Sequence, residues 1–175
     1  MSITLRELRA EDEHVMRRMH AQLSLEGFSF LLAEGPWEYV LRTVTEEASG
    51  IHLPADRVTA DFFVAEADGV PVGRVSIRHY LNDFLHNYGG HIGYAVAPEF
   101  RSKGYATAIL NLSLVRLAEL GVRQALVICE ADNVASARVI EKCGGQFEDA
   151  RTHHGTTMLR YWVTTSNVDG QATAT

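Results

Sequence analysis

The amino-acid sequence predicts an α/β (α+β) protein with a mixed, mostly antiparallel sheet flanked by helices. Two apolar strands joined by Asp68-Gly69 form a predicted hairpin, because both of these residues tolerate positive φ. A strand, a helix, a second strand and a second helix follow one another between residues 91 and 145. Two final strands are predicted over residues 146–151 and 157–164.

The segments before the hairpin predict one strand and two helices. Residues 3–8 suggest a first strand, and the apolar residues within 15–23 repeat with helical spacing. Pro36 is placed to start a second helix that runs to about Ala48, since proline is favoured in a first helical turn. Residues 24–61 contain no recognisable motif, and substrate specificity could reside in this irregular segment.

Length and composition indicate one domain, residues 1–165, followed by a small polar tail, residues 166–175, that we expect to be disordered. The chain has 175 residues, 46% hydrophobic and 22% charged, which is the balance of an ordinary globular protein with one core. It contains no apolar run long enough to span a membrane and no signal peptide. We therefore expect a cytoplasmic protein without a membrane partner.

Charge and cysteine content argue against several kinds of function. A formal net charge of −6 argues against nonspecific binding to nucleic acid, whose phosphates require a basic surface. Cys129 and Cys143 are too few for a disulfide framework and lack metal-ligand spacing, so we expect reduced core residues. His153-His154 lies in a predicted turn that supplies no third ligand, and no metal site is predicted.

The segment from Arg101 to Ala106 has the properties of an anion-binding turn. It lies between an apolar strand, residues 91–97, and an apolar helix. A helix N-terminus exposes backbone N–H groups and carries partial positive charge. Gly104 lets the chain approach a diphosphate closely, and Arg101 and Lys103 add positive charge. The spacing matches neither a Walker A loop nor a dinucleotide fingerprint, so the sequence predicts another phosphate-bearing ligand.

Three motifs between residues 89 and 144 resemble the GNAT superfamily of N-acetyltransferases. Arg101-x-x-Gly104-x-Ala106 resembles the loop that binds the pyrophosphate of acetyl-coenzyme A (acetyl-CoA). Asn133-x-x-Ser136, followed by Gly144, resembles the next helix of that superfamily and is similar to the ribosomal-protein N-terminal acetyltransferases. Residues 89–94, Gly-Gly-His-Ile-Gly-Tyr, resemble a group of bacterial predicted acetyltransferases. The order of elements is similar over residues 3–164, and implies the acyl-CoA N-acyltransferase fold.

The resemblance implies acetyl-CoA as cosubstrate and no metal. The loop would hold the pyrophosphate, and the main chain of the preceding strand would pair with the pantetheine arm, with the Val96 N–H polarising the thioester carbonyl. Asn133 is also a favoured N-cap, and Ser136 would complete the cap or contact coenzyme A. The cofactor-contacting residues that the resemblance implies are Ala95, Val96, Ala97, Arg101, Ser102, Lys103, Gly104, Tyr105, Ala106, Asn133 and Ser136.

Transfer to an amine calls for a base, because a lysine-like amine costs about 4 to 5 kcal/mol to deprotonate at pH 7. His91 is the first candidate, since related enzymes often carry a glutamate at this place and histidine titrates near neutrality. Glu130, at the end of the following strand, is the second candidate. Each has a structural alternative: His91 as a hydrogen-bonding residue within the sheet, and Glu130 as a solvated strand end.

The acceptor side of the site is predicted from side-chain size and charge. Gly93, Ala95 and Ala97 share one strand face with the first candidate base and would leave room for a ligand there. His79 and Asp83 are candidates for binding a cationic amine.

The general acid is the point at which the chain departs from the superfamily. A tyrosine commonly protonates the leaving thiolate, seven residues after the helix-capping asparagine, and Ile140 occupies that position here. Either the thiolate leaves without a dedicated acid, or Tyr94 or Tyr105 serves instead.

The expected activity is direct transfer of acetyl from acetyl-CoA to a primary amine of a small molecule, an N-acetyltransferase of class EC 2.3.1. Two alternatives stay open at this point. The acceptor is a protein N-terminus, or the chain is a non-catalytic acyl-CoA-binding module, which the isoleucine at the tyrosine position slightly favours. A homodimer is plausible for the superfamily, although no residue of the sequence specifies one.

Overall fold

The computed structural model describes residues 2–165, so the predicted disorder of residues 166–175 concerns a segment outside the described residues. The strands are β1 (Ile3–Glu7), β2 (Ala60–Ala67), β3 (Val70–Arg78), β4 (Ile92–Val96), β5 (Gln124–Glu130), β6 (Gln146–His153) and β7 (Thr156–Thr164). The α-helices are α1 (Glu13–Ser24), α2 (Trp37–Ser49), α3 (Tyr105–Glu119) and α4 (Val134–Lys142). Within residues 2–165, no helix combines the length and apolar character needed to cross a bilayer.

All seven strands form one sheet in the order β1-β2-β3-β4-β5-β7-β6. Every neighbouring pair is antiparallel except β4 and β5, which run parallel. The predicted mixed, mostly antiparallel sheet is therefore confirmed. β4 pairs with β5 only at Ile92 and Val127 among the described residues, so the two strands diverge beyond that point.

Helices cover both faces of this sheet because the strands alternate two sets of apolar side chains. One core cluster lies between the sheet and α3 and α4, and it includes Ile109, Leu117 and Ile140, all fully buried. The other lies between the sheet and α1 and α2, and it includes Met16 and Val40. α3 is apolar around most of its circumference because it packs on β1, β3, β4 and α4.

Several local predictions can be compared with the backbone. Asp68 and Gly69 have φ of 49° and 80° and connect β2 to β3, which confirms the hairpin. Pro36 caps the N-terminus of α2, as its position predicts. The segment between β3 and β4, in which the sequence predicts no helix, contains a single π-helical turn, Leu85–Gly89. That turn was missed because π turns have no sequence periodicity of their own.

Candidate active site

The divergence of β4 from β5 opens a gap lined by main-chain groups. In the β3–β4 ladder, the Arg78 N–H donates to the His91 carbonyl (2.8 Å) and the Ala97 N–H donates to the Val72 carbonyl (2.9 Å). Alternate residues of an antiparallel strand point their polar groups to opposite neighbours. The N–H groups of Tyr94 and Val96, at the intervening positions, therefore point toward β5 across the gap, as the predicted role of Val96 requires.

The predicted anion-binding turn lies directly after β4. Gly104 has φ of 82° and precedes the first residue of α3, and no side chain caps the helix. A Cβ at Gly104 would meet no atom within 4 Å, so the backbone conformation alone requires glycine there. The N-cap side chain therefore provides no acceptor for the first-turn N–H groups of α3, which have no partners within the helix.

The two cationic residues of this turn make different contacts. The two guanidinium Nη atoms of Arg101 lie 3.1 Å and 2.6 Å from the carboxylate oxygens of Glu26, in the turn after α1. Its Nε donates to the Val96 carbonyl (3.2 Å). Lys103 extends over the ring of Phe100, with Nζ 5.5 Å from the ring centroid. The hydrogen bond from Arg101 lowers the pKa of Glu26.

On the other side of the gap, the first turn of α4 carries the predicted pair. The Asn133 side chain accepts a hydrogen bond from the Ser136 N–H (3.1 Å), so its capping role is observed. The Ser136 Oγ lies 2.9 Å from the Tyr94 hydroxyl, which reaches it from β4. Burial raises the pKa of Tyr94 to about 12, and the hydrogen bond with Ser136 only partly opposes that effect.

His91 lies where β4 and β5 are still joined. The residue is 5% exposed, its ring Nδ1 accepts a hydrogen bond from the Leu126 N–H (2.9 Å), and its backbone N–H donates to the Leu126 carbonyl (2.7 Å). Burial, with help from nearby Arg78, lowers the pKa of His91 to about 4. In a neutral imidazole that accepts a hydrogen bond at Nδ1, the proton is on Nε2. Neither ring nitrogen then has a free lone pair with which the residue could act as a base. These contacts favour the alternative role, a hydrogen bond within the sheet.

The strand face beside His91 is not open, contrary to the expectation from its small residues. The guanidinium of Arg78 lies 3.2 Å from the point where a Cβ of Gly93 would stand, and Ala97 is fully buried. Arg74 donates to the carbonyls of Gly93 (2.9 Å), Phe30 (2.9 Å) and Ser29 (2.7 Å). The expectation is wrong because Arg74 and Arg78 extend from β3 over Gly93. The two arginines are four residues apart in an apolar strand, so they lie on one face of it, and this spacing could have indicated a covered face.

A family model described as an acetyltransferase (GNAT) domain matches residues 2–146. This chain belongs to the GNAT acetyltransferase family. The match confirms the resemblance to the superfamily and the prediction of an N-acetyltransferase, and it covers every residue of the gap described above.

Solved structures share the GNAT fold with this chain at low sequence identity. The yncA protein of Salmonella typhimurium, solved with its cofactor acetyl-CoA, is 14% identical over 99% of this chain and 100% of that chain, with a TM-score of 0.67. RimL, a ribosomal L7/L12 alpha-N-protein acetyltransferase, is 16% identical over 94% and 91%, with a TM-score of 0.68. A spermidine N-acetyltransferase chimera from Vibrio cholerae and hSSAT is 18% identical over 94% and 96%, with a TM-score of 0.64. Because RimL and the spermidine N-acetyltransferase chimera act on different acceptors, the shared fold alone does not select an acceptor.

The position that commonly carries a tyrosine in GNAT enzymes is buried in the core of this chain and does not reach the gap. Ile140 is fully buried, and its side chain lies 2.5 Å from where a Cβ of Gly145 would stand. Tyr105, the first residue of α3, packs against the same core cluster. Of the two predicted substitutes, Tyr94 has its hydroxyl hydrogen-bonded to Ser136 at the gap.

The remaining predicted residues of this GNAT chain lie apart from one another. Glu130 is exposed at the end of β5, beyond the point where β4 diverges. His79 lies past the end of β3, at the opposite end of that strand from the anion-binding turn. Its Nε2 is 3.1 Å from Asp61 Oδ1, in an orientation that forms no hydrogen bond. Asp83 is exposed, and its carbonyl accepts from the Asn87 side chain (2.6 Å).

Neither cysteine nor the histidine pair has the environment of a reactive or metal-binding group. Both cysteines are free, and burial raises the pKa of Cys129 to about 11, which keeps it a thiol at neutral pH. His153 stacks on the ring of Tyr88 with centroids 4.4 Å apart. Among residues 2–165, no three histidine, cysteine or acidic side chains are grouped as metal ligands would be.

Proposed function

We propose that this GNAT chain transfers the acetyl group of acetyl-CoA directly to a primary amine of a small molecule. The observation that carries the proposal is the gap between β4 and β5. It has the main-chain N–H groups of Tyr94 and Val96 on one side and the uncapped N-terminus of α3 at its mouth. The fold that this chain shares with the acetyl-CoA-bound yncA protein supports the same cosubstrate here.

The residues around the gap divide the binding of acetyl-CoA between main chain and side chains. The pyrophosphate would lie on the loop and first turn formed by Arg101, Ser102, Lys103, Gly104, Tyr105 and Ala106, where N–H groups and the helix dipole favour an anion. The amide groups of the pantetheine arm would pair with the β4 main chain over residues 95–97. The Arg101 guanidinium forms an ion pair with Glu26. This ion pair must break before Arg101 can bind the pyrophosphate.

The chemical step forms a C–N bond and breaks the C–S bond of the thioester. The Val96 N–H would donate to the oxyanion of the tetrahedral intermediate, where a preorganised donor stabilises developing charge. The Tyr94 hydroxyl, protonated at neutral pH, would give its proton to the leaving sulfur through Ser136. The proton lost by the amine goes to water or to Glu130, because the contacts of His91 leave it no free lone pair.

The covered strand face favours a small acceptor over a protein N-terminus. A protein chain needs an open groove beside the thioester, whereas Arg74 and Arg78 close the face of β4 at Gly93. The Tyr94–Ser136 hydroxyl pair likewise favours an enzyme over a non-catalytic acyl-CoA-binding module, because it supplies the acid that Ile140 cannot.

Release of coenzyme A in the presence of a panel of small primary amines tests the proposal. We expect amine-dependent release of the free thiol, with the acetylated amine found in equal amount by mass spectrometry. Tight binding of acetyl-CoA without transfer to any amine would instead identify a binding module. Transfer only to peptide N-termini would identify a protein acetyltransferase.

A further inference from the structure

Two arginines of β3, Arg74 and Arg78, lie beside β4 on the face of the sheet that α1 and α2 cover. Arg74 is 4% exposed and Arg78 is partly exposed. Neither guanidinium forms an ion pair within residues 2–165, and the hydrogen bonds of both end on neutral carbonyls. A cation that leaves water without a carboxylate beside it loses hydration that neutral acceptors only partly replace.

The charges near these arginines leave a positive excess. Glu47 is the carboxylate that acts on both of them, but its Oε1 accepts from Arg57 Nη1 at 2.9 Å. Asp61 of β2 is bound by a guanidinium of α3, on the opposite face of the sheet. Three guanidinium groups therefore share one carboxylate. Burial, with a smaller contribution from the charge of Arg57, lowers the pKa of Arg78, in keeping with an environment that lacks anions.

Of the two arginines, Arg78 has free donors. All three nitrogens of the Arg74 guanidinium donate to carbonyls. In Arg78, Nη1 donates to the carbonyls of Gly89 (3.2 Å) and Gly90 (3.4 Å), whereas Nε and Nη2 have no partner within residues 2–165 and keep contact with solvent. Nε and Nη2 form one edge of the guanidinium, and the two N–H groups of that edge match the two oxygens of a carboxylate.

Gly93 gives this guanidinium its place on β4. A Cβ at Gly93 would stand 3.2 Å from both Nη atoms of Arg78, which is too close for an ordinary contact. The φ of Gly93 is not positive, so its backbone conformation does not require glycine. The missing side chain therefore serves to admit the Arg78 guanidinium to the surface of the strand.

The position of Arg78 along β4 separates its anion from the pyrophosphate of acetyl-CoA. The anion-binding turn follows the last residue of β4, whereas Gly93 is the second residue of that strand. Gly93 is three residues, or about 10 Å, from the Val96 N–H at which the thioester carbonyl would lie. A hydrogen bond from Arg78 takes up about 3 Å of that span. The remaining distance of roughly 7 Å fits the amine-to-carboxylate length of a linear five-carbon amino acid.

We propose that the free edge of the Arg78 guanidinium binds a carboxylate of the acceptor, so that the preferred substrates are amino acids whose amine and carboxylate lie at opposite ends of a short chain. The proposal rests on the proposed acetyl transfer to a small amine. It assigns Arg78 as a specificity-determining residue that binds the acceptor away from the reacting atoms.

Two acceptors of one shape test the proposal: 5-aminopentanoate, which ends in a carboxylate, and 5-aminopentanamide, which ends in a neutral amide. In the unmodified protein, we expect the KM for 5-aminopentanoate to be at least tenfold lower than the KM for the amide. Arg78→Gln should raise the KM for 5-aminopentanoate about tenfold and leave the KM for 5-aminopentanamide unchanged, because it removes one charge-assisted contact. Arg78→Lys should recover part of the preference, since it keeps the charge and loses the second donor of the edge.

Arg42→Gln is the matched control, an exposed arginine of α2 on the same side of the sheet, and it should change neither KM. Equal KM values for the two acceptors in the unmodified protein would overturn the proposal. An equal rise of both KM values in Arg78→Gln would also overturn it, because Arg78 would then only hold the carbonyls of residues 89 and 90.

A binding measurement distinguishes failure of this proposal from failure of the proposed acetyl transfer. Pentanoate, which has no amine, should bind the unmodified protein in ligand-observed NMR and compete with 5-aminopentanoate, whereas pentanamide should not bind. This measurement needs no variant, so it does not depend on whether Arg78→Gln folds. If no amine is acetylated but pentanoate binds and 5-aminopentanoate displaces it, the proposed transfer fails and the carboxylate site stands. If amines are acetylated and pentanoate neither binds nor competes, the carboxylate proposal fails alone.

Discussion

The Tyr94 hydroxyl lies 2.9 Å from the Ser136 Oγ and so joins β4 to the first turn of α4. The two residues come from elements on opposite sides of the gap, and the thioester sulfur would pass beside them. A buried tyrosine with a pKa of about 12 stays protonated at neutral pH, as a proton donor requires.

Tyr94→Phe should lower kcat about tenfold or more without changing the affinity for acetyl-CoA, because the ring stays and only the hydroxyl is removed. Ser136→Ala should lower kcat in the same direction. Steady-state kinetics measures kcat, and calorimetry measures the affinity for acetyl-CoA. An unchanged kcat in both variants would mean that the thiolate leaves without an acid.

Gly104→Glu should weaken acetyl-CoA binding at least tenfold, since it adds negative charge in front of the α3 N-terminus and strains a residue at φ of 82°. Gly104→Ala isolates the strain, which costs roughly 1 to 2 kcal/mol of stability. Gly121→Ala is a matched control, because Gly121 also has φ of 82° and open space but lies past the other end of α3. Equal acetyl-CoA affinity in Gly104→Glu and the unmodified protein would exclude the loop as the pyrophosphate site.

His91→Ala should destabilise the protein at pH 7 by about 1 to 3 kcal/mol, because the buried Leu126 N–H loses its acceptor. The folded-state pKa of about 4 is below the unfolded value near 6.5, so the fold favours the neutral ring. The contribution of neutral His91 to the free energy of unfolding is therefore complete above about pH 6.5 and is lost as the pH falls toward 4.

Urea denaturation at pH 7.5 and pH 5 measures this effect. The difference in unfolding free energy between the two pH values should be smaller in His91→Ala than in the unmodified protein. His52→Ala, at a largely exposed histidine, should leave that difference unaltered. The residual activity of His91→Ala should also keep the acidic limb of its pH–rate profile, and loss of that limb would restore His91 as the base.

Glu26→Gln should tighten acetyl-CoA binding about two- to fivefold, because Arg101 no longer has to leave an ion pair that is about half exposed. Such pairs contribute only about 0.2 to 1 kcal/mol, which sets the size of the effect. Glu99→Gln is the control, an exposed glutamate closer to the loop in sequence. Weaker binding in Glu26→Gln, measured by calorimetry, would show that Glu26 holds Arg101 in place for the ligand.

The parts of the site that depend on local chemistry were predictable from sequence. An asparagine before a helix caps it, and a glycine before a helix accepts a left-handed conformation, so Asn133 and Gly104 could be assigned from their neighbours along the chain. The register of β4 followed once its strand was recognised. The gap between β4 and β5 was implied only by the resemblance to the superfamily, because the point at which β4 leaves β5 has no local sequence pattern.

The acceptor side could not be predicted because its contacts join distant parts of the chain. Arg74 contacts the carbonyls of Ser29 and Phe30, a relationship with no local sequence pattern. The environment of His91 could not be predicted for a similar reason. Its ring titrates near neutrality only if exposed, and the Leu126 N–H that holds it belongs to the neighbouring strand.

Arg74 has a consequence for how substrates enter and leave. Its guanidinium is buried, faces the rings of Phe28 and Phe30, and fastens the segment after α1 to the Gly93 carbonyl. Burial lowers its pKa to about 9, which still leaves it charged at neutral pH. A segment anchored by a charged group and three carbonyls is unsuited to act as a swinging lid. Residues 29 and 30 would therefore stay fixed to β4 while substrates enter and products leave.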